Sequence, residues 1–364
     1  MILITGGAGF IGTAVARELI GRGHRVRILD SLIEQVHGEG GHPAGLAADA
    51  ELIVGDVRNG DVVTRALQGV DSVVHLAAEV GVGQSMYAVE RYTSVNEVGT
   101  AVLFEKLIER PVRRVVTASS MSIYGEGLYQ DCDGRPVEDA ARRPGSTGWD
   151  PVDSAGRPLR PVPTPEWKRP SLSSIYALGK YVQERQTLIM TGAYGMEGVC
   201  LRLFNVYGPG QALSNPYTGV LAIFAARLLN GQPPLVFEDG EQRRDFVHVS
   251  DVAGAFADAL FLPEAAGGVF NIGSGKDRSV NEVARALAAA MGVAIEPRIA
   301  GKSRTGDIRH CFCDTRLAAE RLGFRASKDF AQGLAELAEW LAGQEADDRV
   351  EEARGELEVR GLVA

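Results

Sequence analysis

The chain opens on an apolar run, Met1 to Ile4, and then reads Thr5-Gly6-Gly7-Ala8-Gly9-Phe10-Ile11-Gly12. This spacing predicts a short strand, a tight turn and a helix to about Gly21. Gly6, Gly9 and Gly12 let a pyrophosphate come close to the backbone at the positive end of that helix. A second strand, Arg25 to Leu29, ends in Asp30. A carboxylate there accepts hydrogen bonds from the hydroxyls of an adenosine ribose and repels a 2′-phosphate. Strand, glycine turn, helix and second strand together point to a dinucleotide, and to NAD over NADP. A glycine-rich turn in some other α/β protein is the weaker reading.

The alternation continues. A third strand, Glu51 to Val54, leads into Gly55-Asp56-Val57. Asp56 is placed either to meet an adenine edge or to cap the next helix, Asp61 to Leu67. A fourth strand, Ser72 to Leu76, runs into Ala77-Ala78, small enough to admit a ribose. A helix from about Val89 to Glu109 carries Asn96. A fifth strand, Val112 to Ala118, delivers Ser119-Ser120-Met121-Ser122, and a sixth spans Gly198 to Phe204. Strands alternating with helices predict an α/β doubly wound parallel sheet, the Rossmann arrangement, with ligands beyond the C-terminal strand ends. A smaller α/β substrate domain follows. The expected division is 1–204 for the dinucleotide-binding domain, with an inserted surface loop at 127–171 and 238–270 returning to it. Residues 205–237 and 271–342 make the substrate domain, and 343–364 a charged amphipathic tail helix packed outside or on a partner.

Ser174-Ile-Tyr-Ala-Leu-Gly-Lys180 falls in a predicted helix, Leu172 to about Met190. Tyr176 and Lys180 then share a face. An ammonium beside a phenol lowers a pKa that is otherwise near ~10, so the phenol serves as a general base. Taken alone, a surface Tyr and Lys on an ordinary helix is the better reading; the other motifs raise the catalytic one.

Composition excludes several classes. The net charge of −9, with basic residues scattered, gives no footing for nucleic acid. No apolar run is long enough to span a membrane, and the immediate entry into a strand leaves no room for a signal peptide. Cys132, Cys200, Cys311 and Cys313 are too few for a disulfide framework; they read as thiols in a reducing cytoplasm. Cys311 and Cys313 are expected to point apart. His37 and His42 read as solvated loop histidines, and no metal site is expected.

Jointly these residues resemble the extended short-chain dehydrogenase/reductase superfamily, specifically nucleotide-sugar epimerases and dehydratases. The motifs are the glycine turn, Asp30, His75-Leu76-Ala77-Ala78, Ser120, Tyr176 with Lys180, Arg202-Leu203-Phe204-Asn205, Arg244-Asp245-Phe246 and Arg304-x-x-Asp307. The resemblance implies bound NAD, held by Gly6, Gly9, Phe10, Ile11, Gly12, Asp30, Asp56, Val57, Leu76, Ala77, Ala78, Asn96, Tyr176 and Lys180. Tyr176 would be the base and acid, Lys180 would lower its pKa and bind the nicotinamide ribose, and Ser120 would relay the proton. Ser120, Ser122 and Asn205 would face the sugar diphosphate. Arg244, Arg304 and Asp307 would take the phosphates and nucleoside ribose, with Val220 and Phe237 walling the base. Dehydratase relatives carry an acidic pair after the active-site hydroxyl, and decarboxylating ones a Glu. Here Ser120-Met121-Ser122 has no carboxylate, which implies 4-epimerisation through a 4-keto sugar.

The long insert, Asn215-Pro216-Tyr217-Thr218 and Gly306-Asp307-Ile308-Arg309-His310 are similar to a bacterial branch that includes dTDP-L-rhamnose 4-epimerases. Cys311 falls where hexose epimerases gate the sugar pocket by size, so UDP-hexoses, N-acetylhexosamines and uronates stay open. A 4-ketoreductase and a non-catalytic dinucleotide sensor are the rivals. The resemblance also implies a homodimer through helices near Val95–Leu107 and Leu172–Met190.

Overall fold

A computed structural model describes residues 1–38, 45–141, 148–217 and 219–363. His42 and Thr218 lie outside the described residues. Seven strands form one parallel sheet, in the spatial order Val269–Ile272, Glu197–Leu203, Arg114–Ser120, Ser72–His75, Ile2–Thr5, Val26–Asp30, Glu51–Val54. The central strands read Ile-Leu-Ile-Thr, Ser-Val-Val-His and Arg-Val-Val-Thr-Ala-Ser-Ser, and all their residues are buried. Such continuous burial is what a parallel sheet covered on both faces requires. One face packs under helices Phe10–Gly21 and Val249–Phe261, through Val15, Leu19, Phe256 and Leu260. The other packs Leu3, Val73 and Val115 against Val63, Leu103 and Leu107. From Ile2–Thr5 the chain winds first to one edge and then, from Ser72–His75 on, toward the other. The crevice therefore opens where Thr5 and His75 end side by side.

A second sheet carries the other half of the crevice. Asn205–Tyr207 pairs in parallel with Arg243–His248, which also pairs with Asp277–Ser279 and His310–Cys311. Helices Val220–Leu229, Val280–Ala290 and Phe330–Leu341 close over a core of Leu221, Phe224, Val283, Leu287, Leu334 and Leu337. The expected return of 238–270 to the large sheet is partial: 243–248 joins this smaller sheet, whereas 249–261 and 269–272 complete the large one. Helix Arg316–Leu322 also packs on the large sheet's core, through Ala318 and Leu322.

Three expectations need correction. The insert is not merely a loop: Leu128–Gln130 pairs antiparallel with Pro136–Val137 and Arg160–Val162. Too few residues lie in each strand to leave a periodic signal. The helix carrying Asn96 is broken by a π-helical turn, Ser94–Val98, between Val89–Thr93 and Gly99–Glu109. Cys311 and Cys313 do not point apart; both join Met121, Ile123, Tyr124 and Phe204 in one cluster, since residues two apart in extended chain share a face.

A buried ion pair ties the Tyr176 helix to the sheet beneath it. Glu184 accepts from Arg202 Nη2 at 2.7 Å and from Nε at 3.0 Å, and Ser119 Oγ donates to Glu184 at 2.7 Å. The Arg202 guanidinium also lies over the Tyr124 ring, 5.0 Å from its centroid. Both charges are almost wholly buried. Removing one partner strands the other, at a cost of about 3–5 kcal/mol, whereas replacing both with apolar groups costs little. Glu184→Leu is therefore expected to lose stability on that scale in urea unfolding, and the pair Glu184→Leu/Arg202→Met to recover most of it. A double variant no better than the single one would show that the pair stabilises outright.

Candidate active site

The glycine turn is shaped by close backbone approach. Gly6 has φ +68°, and a Cβ there would sit 2.7 Å from Ala77 N. A Cβ on Gly12 would meet Gly7 Cα at 2.5 Å. Gly9 offers no side chain to cap helix Phe10–Gly21, so the first-turn N–H groups face the crevice. Asp30 is fixed at its strand end by Ala8 N and Leu32 N, each 3.0 Å from its carboxylate. His37 is not solvated as expected: its side chain is 6% exposed and lies 3.6 Å from Asp30.

Asp56 does not cap the following helix. Asn59 does, accepting from Asp61 N and Val62 N at 3.1 and 3.3 Å. Asp56 instead accepts from Arg58 Nε at 3.0 Å and Nη2 at 2.6 Å, and these bonds hold it below the usual carboxylate range. Asn96 misses the crevice altogether. It is fully buried, accepts from Glu79 N at 2.7 Å and donates to Glu79 O at 3.1 Å. It pins the loop after Ala77-Ala78, and it sits in the π turn Ser94–Val98.

The chemical corner lies at the fifth strand's end. That strand runs two residues past its expected Ala118, so Ser119 and Ser120 belong to it. Ser120 caps the turn Met121–Tyr124, accepting from Ser122 N at 3.1 Å. Ser174 caps helix Ile175–Ala193 through Ala177 N at 3.1 Å, which sets Tyr176 in its first turn. The phenol lies beside Ser120. Burial pushes its pKa up and the neighbouring Ser120 hydroxyl opposes this, so the phenol stands above its ordinary value rather than below it. Lys180 is itself driven down to about 7 by burial.

Sequence reading missed Gln183. It accepts from Lys180 Nζ at 2.8 Å, donates to Thr100 Oγ1 at 2.9 Å and to Ala77 O at 3.2 Å, and lies 3.2 Å from His75 Nε2. His75, pushed down to about 3 by burial and the Lys180 charge, is neutral and lies 2.7 Å from Thr5 Oγ1. The only sequence signal was its place three residues after Lys180, on the same helix face.

Across the crevice, Ser122 Oγ and Asn205 Oδ1 are buried with no hydrogen-bond partner among the described residues. Arg244 donates to Arg243 O and Arg309 O, each at 2.9 Å, and to Ile308 O. Arg304 donates to Asp307 at 2.8 Å and lies 4.5 Å from the Phe237 ring centroid. Of the residues expected to meet ligands, all but Asn96 line one cleft of about 640 Å³. Cys311 is not among them; it is buried beneath, 3.8 Å from Thr164 Oγ1. Among the described residues no group of three His, Cys, Asp or Glu could hold a metal ion, and no helix is long and apolar enough to cross a membrane. The glycine cradle, which any Cβ would fill, and the carboxylate at the second strand's end suit a nicotinamide dinucleotide.

Comparisons with known proteins agree. The NAD dependent epimerase/dehydratase family matches residues 2–146 and 155–273. A dTDP-L-rhamnose 4-epimerase of Burkholderia thailandensis is 36% identical over 350 residues, covering 95% of this chain and 96% of that protein. A UDP-glucose 4-epimerase of Mycolicibacterium smegmatis is 32% identical, covering 93% and 97%. The crystal structure of a Thermus thermophilus UDP-glucose 4-epimerase complex with NAD superposes with a TM-score of 0.76 at 30% identity, covering 94% and 99%.

Lys180 titrates at 10.5 when unperturbed and near 7 when folded. Below pH 7 both states are protonated, and the folded one bears the full cost of the buried ammonium. From there to pH 10 the unfolded chain binds more protons, so stability rises with pH. Lys180→Met removes this dependence. Denaturation at fixed ionic strength is expected to favour the variant most at pH 6, with the margin shrinking by pH 9. A margin independent of pH would refute the depressed pKa.

Proposed function

The chain belongs to the NAD dependent epimerase/dehydratase family, and we propose that within it the enzyme is a nucleotide-sugar 4-epimerase, with dTDP-L-rhamnose or a related dTDP-6-deoxyhexose as substrate. One observation carries the choice of epimerisation. The carboxylates lining the cleft, among the described residues, are Asp30, Asp56, Glu79 and Asp307. Each is engaged by a partner of its own: Asp30 by Ala8 N, Asp56 by Arg58, Glu79 by Arg91 and Asp307 by Arg304. Elimination or decarboxylation needs an acid or base at a second sugar carbon, and next to Ser120 stand only Met121 and Ser122. Chemistry confined to C4 needs one proton-transfer site.

NAD, when bound, accepts a hydride from the sugar carbon and returns it, and its oxidised ring brings positive charge to this corner. The glycine cradle would hold its pyrophosphate and Asp30 its adenosine ribose. Tyr176 takes the proton of the 4-hydroxyl and gives it back. Ser120, the hydroxyl beside the phenol, would hold the same oxygen and keep the proton's path short. Lys180, held by Gln183, supplies the ammonium that offsets the desolvation of a phenolate. Ser122 Oγ and Asn205 Oδ1, both without a partner among the described residues, are suited to bind sugar hydroxyls.

The 36% identity to a dTDP-L-rhamnose 4-epimerase supports the deoxysugar; the similarity to UDP-glucose 4-epimerases keeps UDP-hexoses as the second reading. The helices near the expected dimer face leave Val98, Leu178 and Ile189 between 38 and 57% exposed, which supports pairing of two copies; light scattering tests it.

Incubation with a panel of dTDP- and UDP-sugars, with product stereochemistry read by NMR, is expected to show inversion at C4 and no loss of water. Tyr176→Phe is expected to lower turnover by about 10²–10⁴-fold while NAD released on denaturation stays equal to the parent's. Deuterium from solvent appearing at C5 would sink the epimerase reading.

A further inference from the structure

The tail was expected to pack on the outside or on a partner. In the structure the segment 344–363 packs over the cleft and contributes to its lining. Val350, Ala353, Leu357 and Leu362 line the cleft itself, on the side of Phe237 and Arg304. Ala353 and Leu357, at 7% and 6% exposure, are the buried residues of helix Val350–Val359.

The segment is fastened on both sides. On the dinucleotide side, Leu357 Cδ1 lies 3.5 Å from where a Cβ on Gly83 would stand, and Arg360 lies 4.3 Å from the Tyr87 ring centroid. On the other side, Thr305 N donates to Leu362 O at 2.9 Å and Arg304 bridges Val363. Asn230 Nδ2 donates to Ala346 O at 2.7 Å. Charge complements this. Asp348 and Glu351 lie 3.2 and 3.3 Å from Arg227, Glu351 lies 2.7 Å from Arg298, and Glu358 lies 3.1 Å from Lys302. Arg227 is 3% exposed, so it depends on these tail carboxylates for its compensation. The other pairs are exposed and weak. The strap is thus anchored at one buried point and loosely held elsewhere.

We propose that this C-terminal strap is the outer wall of the nucleoside pocket and a determinant of nucleotide affinity, closing over a nucleoside diphosphate rather than serving as a tail. The inference rests on the functional reading above. Its chemistry fits that ligand: Val350, Ala353 and Leu357 add an aliphatic wall to the cleft that Phe237 also lines, an apolar surface suited to a flat base. The Arg304 guanidinium stands at the same end. A ligand in the slot touches both the strap and the body of the fold, so binding and docking of the strap reinforce each other.

Two measurements on the full chain test it, with dTDP and UDP as probes. Trypsin cuts accessible Arg349 and Arg360; saturating diphosphate is expected to slow cleavage there at least fivefold. Ala353→Trp fills the slot and is expected to weaken diphosphate binding by calorimetry at least tenfold, with far-ultraviolet circular dichroism and bound NAD unchanged. Asp348→Asn/Glu351→Gln, which loosens the strap without touching the slot, is expected to speed cleavage and weaken binding together. Cleavage rates indifferent to diphosphate, or Ala353→Trp binding within twofold of the parent, would overturn the strap as a wall. A parent chain that binds neither diphosphate yet retains NAD would overturn the nucleotide-sugar reading and this inference with it.

Discussion

Two backbones meet at the floor of the cleft with no room for a side chain between them. Gly6, with φ +68°, sits where a Cβ would lie 2.7 Å from Ala77 N, and Gly12 where one would lie 2.5 Å from Gly7 Cα. The tips of the first and fourth strands lie side by side because nothing projects from those turns. Their register, Thr5 beside His75, brings Thr5 Oγ1 within 2.7 Å of His75. A methyl group on Gly6 would push the two strand tips apart, and one on Gly12 would push helix Phe10–Gly21 off the turn that precedes it. Hydrophobic burial stabilises the sheet, but steric permission at these turns decides that it ends in a binding site.

The same corner shows how burial sets the chemistry. Tyr176 and Lys180 are both buried, so both are pushed toward their neutral forms, the phenol up and the amine down to about 7. Two groups each destabilised as ions compensate when they ionise together, because each provides the counter-charge the other has lost from water. Gln183 holds the amine from behind without charge of its own, and His75, neutral, adds no competing cation. The site thus stores its polarity in hydrogen bonds that a ligand's charge can bias.

The two halves of the cleft are joined at several points, not by the large sheet alone. Arg309 gathers Asp150 from the insert with Glu238 and Asp239, at 2.6 to 3.0 Å, beside the turn that holds Arg244. The strap at 344–363 spans from the Gly83 side to the Thr305 side. These ties are charged or polar and long-range in sequence, which is why none could be read from local pattern.

Everything local was legible along the chain: the glycine turn, the period of strand and helix, Asp30 at a strand end, Tyr176 and Lys180 four apart on one helix, and the carboxylate-free step from Ser120 to Ser122. Each depends on chain neighbours or on a helix or strand period, so spacing suffices. What packing alone settled depends on distant residues meeting. Asn96, in a π turn, met Glu79. His37 turned inward to Asp30, Cys311 sank below the cleft, and the tail folded back across its mouth. In each case a desolvated polar group or apolar face took the partner that packing brought nearest, and that partner lay outside the reach of any local period.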